Sequence, residues 1–171
     1  MITLVLGGTR SGKSEVAERL VAGAAGVTYL ATGIATDGDM AARIAAHRAR
    51  RPAGWTTVEA GAALVEALAA ARGTVLVDSL GTWVAAHPGL APDTGALCAS
   101  LARRRADAGR GDDTVLVSEE VGLGVHPPTE VGRRFADALG EVNRAVAEVA
   151  DEVLLVVAGR VLPLERPGEA R

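Results

Sequence analysis

Eight residues near the start of the chain, Gly7-Gly8-Thr9-Arg10-Ser11-Gly12-Lys13-Ser14, fit the Walker A pattern G-x-x-x-x-G-K-[ST]. Its chemistry is the holding of a polyphosphate. The stretch follows an apolar run and opens a helical one, so backbone N–H groups and a positive helix end can converge on phosphate oxygens. The glycines permit a tight path around the ligand, and the Ser14 hydroxyl suits a nucleotide-bound magnesium ion. Lys13 is the only lysine among 18 basic residues. An ammonium is a compact point charge that fits at β- and γ-phosphates inside a crowded loop, where a planar guanidinium is too large. A chance glycine-rich turn is the competing explanation, and eight residues in register after a first strand weigh against it.

A carboxylate-bearing position elsewhere in the chain supports the loop. The run TVLVD (74–78) ends in Asp78, at the carboxyl end of a buried strand, where a Walker B aspartate reaches magnesium directly or through water. A strand-end or helix-capping aspartate is the plainer alternative for Asp78 taken alone. A guanine-reading Asn-Lys-x-Asp segment cannot be built, because Asn143 is the one asparagine and arginine follows it. That disfavours a switch GTPase and leaves metabolite kinases open.

Residues 37–59 read DGDMAARIAAHRARRPAGWTTVE. A helix from about Gly38 to Arg51, ending before Pro52, sets Asp39, Arg43, His47 and Arg50 or Arg51 along one face. An imidazole lone pair is a competent nucleophile at phosphorus, and a pKa near neutrality leaves much of it unprotonated at pH 7. Neighbouring guanidiniums would hold a triphosphate and lower the histidine pKa. Spacing alone favours a solvated basic helix face with an incidental histidine.

The elements that must position these groups are legible as short apolar runs at 2–6, 27–31, 74–78, 114–118 and 152–158, separated mostly by alanine-rich amphipathic stretches. Continuous rather than alternating runs are what strands buried on both faces of a parallel sheet look like. Helices are expected at 12–23, 38–50, 60–71, 93–109 and 127–149, loops at 86–93 and 119–128, and a frayed tail at 163–171. The class is α/β, a mostly parallel sheet flanked by helices. No boundary or repeat divides it, so residues 1–171 are read as one P-loop nucleotide-binding domain.

The composition narrows the partners. A net charge of −3 and 2% aromatic residues argue against a nucleic-acid surface and favour a small-molecule partner. Cys98 is the sole cysteine, which excludes an intrachain disulfide and a Cys/His zinc cluster and fits a reducing, cytoplasmic setting. Neither a signal peptide nor an apolar stretch of membrane-spanning length is readable. Trp55 and Trp83 are read as packing residues, and Arg103-Arg104-Arg105 as a solvated helix face.

The order of motifs resembles the bifunctional adenosylcobinamide kinase / adenosylcobinamide-phosphate guanylyltransferase family of cobalamin biosynthesis. The segments that carry the resemblance are GGTRSGKS at 7–14, YLATG at 29–33, DGDM at 37–40, RIAAH at 43–47, RRPAGWTTVE at 50–59, VLVDSLGTW at 75–83, EEVGLGVHP at 119–127 and RRFADALGEVNRAVAEVADEVLLVVAG at 133–159. The resemblance implies a RecA-like P-loop fold and two reactions at one nucleotide site. A nucleoside triphosphate, GTP or ATP, phosphorylates the aminopropanol hydroxyl of adenosylcobinamide. GTP then gives GMP to that phosphate through a GMP-histidine intermediate, releasing pyrophosphate and leaving adenosylcobinamide-GDP. The residue matching the histidine is His47. It also implies that Gly7 to Ser14 hold the triphosphate, with Lys13 catalytic and Ser14 and Asp78 at Mg2+, and that Ala31, Thr32 and Gly33 line the nucleotide site. Arg48, Ala49, Arg50, Arg51, Glu59 and Asp78 resemble the remaining GTP contacts. A buried Glu59 carboxylate would accept from guanine N1–H and the exocyclic amine, a surface or capping glutamate being the alternative. The family's site lies near the subunit contacts of a homotrimer, so self-association is expected.

Three positions depart from the family pattern: Gly81 stands where threonine is usual, Glu119 where asparagine is usual, and Arg144 where glutamine is usual. Glu120, Arg133 and Asn143 fall in the matched carboxyl-terminal block, with corrinoid contact and fold support both open to them. A P-loop metabolite kinase in which His47 is idle, and a nucleotide-dependent binding module, are the competing functions.

Overall fold

The computed structural model describes residues 1–33, 52–107, 109 and 112–168. The expected helix at 38–50, with His47 and the arginines around it, lies outside the described residues.

All five apolar runs form strands. They are β1 (Ile2–Gly7), β2 (Val27–Ala31), β4 (Thr74–Asp78), β5 (Thr114–Glu119) and β6 (Glu152–Val157), and they are joined by β3 (Thr56–Glu59) and β7 (Arg160–Pro163). The sheet order is β3-β2-β4-β5-β1-β6-β7, parallel throughout except for the β6–β7 hairpin. β1, β4 and β5 are almost wholly buried, because parallel strands carry helices on both faces.

The helices are α1 (Lys13–Val21), α2 (Leu64–Ala70), α3 (Leu80–Ala85), α4 (Thr94–Asp107) and α5 (Glu130–Val149). Val16, Ala17 and Val21 of α1 pack against Val5, Tyr29, Leu76 and Val117 on one face of the sheet. Leu64, Leu80, Trp83, Leu97, Leu101, Leu139 and Val146 cover the other face through α2 to α5, against Leu4, Leu30, Val77 and Leu116. Alternation of side chains along each strand feeds both layers from one apolar run.

Three elements escaped the sequence reading. β3 is an exposed edge strand whose residues TTVE form no apolar run. α3 is short and starts at Ser79, whose Oγ accepts from Thr82 N–H, so its cap lacks the Glu or Gln that marks a capping box in sequence. β7 follows a two-residue turn at Ala158 and Gly159, both with positive φ, the geometry that matches hairpin twist. The tail therefore remains tied beyond 163: Leu164 N–H donates to Val153 O, and the Arg166 guanidinium to Glu148 O. Residues 60–63, expected as helix, instead form a turn in which Ala60 and Gly61 N–H both donate to Ala31 O. α5 begins after Pro127-Pro128, as read, with Thr129 as its cap.

Candidate nucleotide site

Parallel pairing brings the carboxyl ends of the strands to one edge. Gly7 pairs with Glu119, Ala31 with Asp78, and Ala31 with Glu59 on its other side. Ligands of open α/β sheets bind at this edge.

Loop 7–14 leaves β1 here and turns into α1. Gly12 sits at φ 92°, a left-handed conformation that favours glycine, and caps α1 with no side-chain hydrogen bond to the helix amides. A Cβ on Gly7 would lie 2.8 Å from Val156 O, so the loop hugs β6 as only glycine allows. The β6–β7 turn closes onto it, Gly159 N–H donating to Ser11 O at 2.8 Å. Gly8, Thr9 and Arg10 are exposed, Ser11 is buried, and Gly12, Lys13 and Ser14 are half-buried. The result is a loop with exposed glycine-rich backbone leading to a helix start where Ser11 Oγ accepts from Lys13 N–H at 3.3 Å and the N-cap glycine offers no acceptor of its own, an arrangement suited to anionic oxygens.

Lys13 is held loosely above this loop. Its Nζ lies 3.5 Å from Gly8 O and 3.6 Å from Glu119 Oε1, with the side chain only 12% exposed. Glu119 in turn accepts from Ser79 Oγ at 3.0 Å and from Gly81 N–H at 3.1 Å. Asp78, the residue before Ser79, accepts from Tyr29 Oη at 2.6 Å. The carboxyl edge thus carries a chain of contacts from the P-loop lysine through Glu119 to the loop after β4.

Thr32 is buried and ties that loop to β2: its hydroxyl meets Ser79 O at 2.6 Å and Thr82 Oγ1 at 2.6 Å, and Ser79 N–H donates to it. Ala31 is buried and Gly33 is half-buried beside the Thr82 side chain. Glu59 stands on the carboxyl edge but is exposed, correcting its expected burial, because β3 is an outermost strand. The structure therefore brings together residues 7–14, 31–33, Glu59 and Asp78 along one edge, while His47, Arg48, Ala49, Arg50 and Arg51 lie outside the described residues.

Hydrogen bonds within the chain engage several of the other singled-out residues. Asn143 is buried, pairing with Ser118 Oγ and donating to Glu119 O at 3.0 Å. Arg133 donates to Pro127 O and Pro128 O, and Glu120 accepts from Gly122 N–H. Trp83 is buried with Nε1 donating to Ala62 O, and Trp55 lies beside Tyr29, ring centroids 6.4 Å apart. Arg144 is exposed. Arg104 departs from the reading of residues 103–105 as a solvated face, since its guanidinium reaches Leu68 O, Ala71 O and Gly73 O, while Arg103 and Arg105 are exposed. Sequence reasoning missed Tyr29 and Ser79 at this edge. Glu119, a departure from the family pattern, ends a buried strand in the same way as Asp78.

A hydroxyl on the first turn of α1 and a carboxylate at the end of β4 are hard oxygen donors. They fit magnesium, which takes few protein ligands and completes its shell with phosphates and water. Among the described residues no group of three or more His, Cys, Asp or Glu is placed to hold a metal ion. No described helix is long and apolar enough to cross a membrane.

A family model described as cobinamide kinase / cobinamide phosphate guanyltransferase matches residues 3–164. The bifunctional adenosylcobalamin biosynthesis protein CobP of Pseudomonas aeruginosa is 43% identical, over 96% of this chain and 98% of that one. The corresponding CobU proteins of Salmonella typhimurium and Escherichia coli are 37% and 36% identical, each over 93% of this chain and 97% of theirs. In fold, the chain is similar to an ATPase from the type III secretion system of pathogenic bacteria, with a TM-score of 0.51 at 14% identity. That likeness covers 90% of this chain and half the length of the ATPase.

Proposed function

Since the chain belongs to the cobinamide kinase / cobinamide phosphate guanyltransferase family, we propose that it carries out both reactions of that name on adenosylcobinamide at the edge built by loop 7–14. The observation that carries the proposal is the placement of Lys13 over a P-loop at the carboxyl edge, in a chain that the family matches over residues 3–164.

In the kinase step the acceptor hydroxyl oxygen bonds to the γ-phosphorus and the bond to the β-phosphate oxygen breaks, releasing the nucleoside diphosphate. Residues 7–14 cradle the triphosphate through backbone N–H groups, and Lys13 places positive charge where the transferring phosphoryl group carries negative charge. A magnesium ion held with the nucleotide by Ser14 and Asp78 would neutralise phosphate charge. Tyr29 Oη, donating to Asp78, keeps that carboxylate turned to one rotamer.

In the guanylyl transfer, an imidazole nitrogen of His47 bonds to the α-phosphorus of GTP and pyrophosphate leaves. A phosphate oxygen of adenosylcobinamide-phosphate then displaces the histidine, giving adenosylcobinamide-GDP. Splitting the transfer gives each half a good leaving group. Arg48, Arg50 and Arg51 would hold the triphosphate, with Ala49, Ala31, Thr32, Gly33 and the exposed Glu59 as the remaining nucleotide contacts. The chain acts as one domain over 1–171, in the cytoplasm, and as a homo-oligomer, a trimer being favoured.

The test is covalent labelling. Incubation with magnesium and GTP labelled at the α-phosphate is expected to give an acid-labile, base-stable adduct, lost in His47→Ala. An adduct that survives in His47→Ala, or none in the wild type, would sink the guanylyltransferase mechanism and leave a plain kinase.

A further inference from the structure

Glu119 occupies a position that the proposed chemistry does not yet use. It ends β5, the strand between P-loop strand β1 and β4 with its Asp78, and its backbone carbonyl is fixed by Asn143 Nδ2. One carboxylate oxygen, Oε2, is anchored by Ser79 Oγ and Gly81 N–H; the other, Oε1, faces Lys13 Nζ. Such a side chain is fixed at one end and offers charge at the other.

The residue opposite explains how it fits. Gly81 lies inside α3, where glycine is disfavoured relative to alanine, and its φ is not in the left-handed region, so torsion does not require it. Space does. A Cβ at 81 would lie 3.0 Å from Glu119 Cδ and closer still to Oε2, with Leu139 Cδ2 at 3.5 Å behind it. A methyl group there would push the carboxylate off both anchors and away from Lys13.

We propose that Glu119 is a positioning residue for the P-loop lysine, and that Gly81 is glycine to leave room for its carboxylate. The four-carbon lysine stem is flexible, and a fixed carboxylate 3.6 Å from Nζ restricts the ammonium to the mouth of the loop before the nucleotide arrives. On binding, phosphate oxygens take over the ammonium while Ser79 and Gly81 continue to hold Glu119. The carboxylate therefore has two opposed effects: it pre-sets Lys13 for transfer, and its negative charge opposes the incoming triphosphate.

This inference rests on the kinase reading given above, and the experiment separates the two. Equilibrium GTP affinity by calorimetry and steady-state phosphorylation of adenosylcobinamide are measured for the wild type, Glu119→Gln, Glu119→Ala, Gly81→Ala and the double variant G81A/E119A. Glutamine keeps the shape and the acceptor facing Ser79 and removes the charge. GTP affinity is expected to rise about threefold, as suits a partly exposed ion pair. The kcat is expected to fall about tenfold as Lys13 loses its pre-set position. A merely structural residue would not move affinity and kcat in opposite directions.

Gly81→Ala is expected to lower kcat in the wild-type background and to change it less than twofold in the Glu119→Ala background, where no carboxylate remains to displace. Equal losses in both backgrounds, or a Glu119→Gln enzyme with unchanged affinity and kcat, would overturn the proposal. A wild type that binds GTP without phosphorylating adenosylcobinamide would defeat the kinase reading, and the affinities of the five proteins would still decide the pairing of Glu119 with Lys13.

Discussion

The two edges of the sheet both gather charged residues, and they use them differently. At the amino edge Arg104 donates to Ala71 O at 2.7 Å and to Gly73 O at 2.8 Å, and reaches Leu68 O and Thr114 Oγ1. Asp151 accepts from Ile2 N–H at 2.7 Å and pairs with Arg105 at 3.1 Å, while Asp113 holds the N-terminal ammonium at 3.1 Å. At the carboxyl edge Lys13 makes contacts of 3.5 and 3.6 Å, and α1 starts at a glycine that offers its amides no side-chain acceptor. Short bonds to backbone groups close a fold; long contacts above a glycine loop leave donors for a ligand. The choice of cation follows the same division, since a guanidinium fork can serve several carbonyls at once whereas an ammonium fits among phosphates. Burial lowers the Arg104 pKa, with Asp112 opposing and Arg72 adding to that effect, and an arginine so placed still keeps its charge.

This contrast can be broken from either side. The largest effect is expected from Lys13→Ala: kcat/KM for phosphorylation of adenosylcobinamide falls about a thousandfold, with the melting temperature changed by no more than about 1 °C. Lys13→Arg is expected to fail nearly as badly, and a fully active arginine variant would remove the argument from cation size. Next comes Arg104→Met, which removes the guanidinium's bonds to three carbonyls, of which Ala71 O keeps a contact from Arg72. Unfolding free energy is expected to drop by about 2–3 kcal/mol and the melting temperature by roughly 5–10 °C, with GTP affinity of the folded protein unchanged. Loss of GTP binding without loss of stability would reverse the roles assigned to the edges. The smallest effect belongs to Arg105→Ala at its exposed pair with Asp151, about 0.5 kcal/mol by urea unfolding and diminishing with salt. A cost of several kcal/mol there would show that even the exposed amino-edge pairs bear weight.

Much of the site was readable because the P-loop is a local device. Gly7 to Ser14 are contiguous, and their function depends on backbone geometry that those eight residues impose themselves. The same holds for the buried strands, whose unbroken apolar runs reflect covering on both faces. What escaped was non-local or weakly patterned. β3 has no apolar run because it lies at an edge, and α3 is set by a Ser79–Thr82 cap rather than by periodicity. Arg104 reads as one of three arginines on a helix, and only the packing of α4 beside the loop after α2 turns it inward. Glu59 is expected as a buried carboxylate facing guanine, and the outermost position of β3 leaves it exposed.

Gly81 and Glu119 are 38 residues apart and read as two separate departures from the family pattern. The fold sets them against each other, so the absence of one side chain makes room for the other.

By itself the sequence determined the parallel α/β class, the phosphate loop with its one lysine, and the aspartate at the end of β4, because each is written in neighbouring residues and obeys a backbone rule. Tertiary structure alone decided that Glu119 faces Lys13, that Tyr29 holds Asp78, and that Arg104 closes the opposite edge. These are meetings of side chains from distant strands and helices, and their geometry is fixed by strand order and register, which no local stretch encodes.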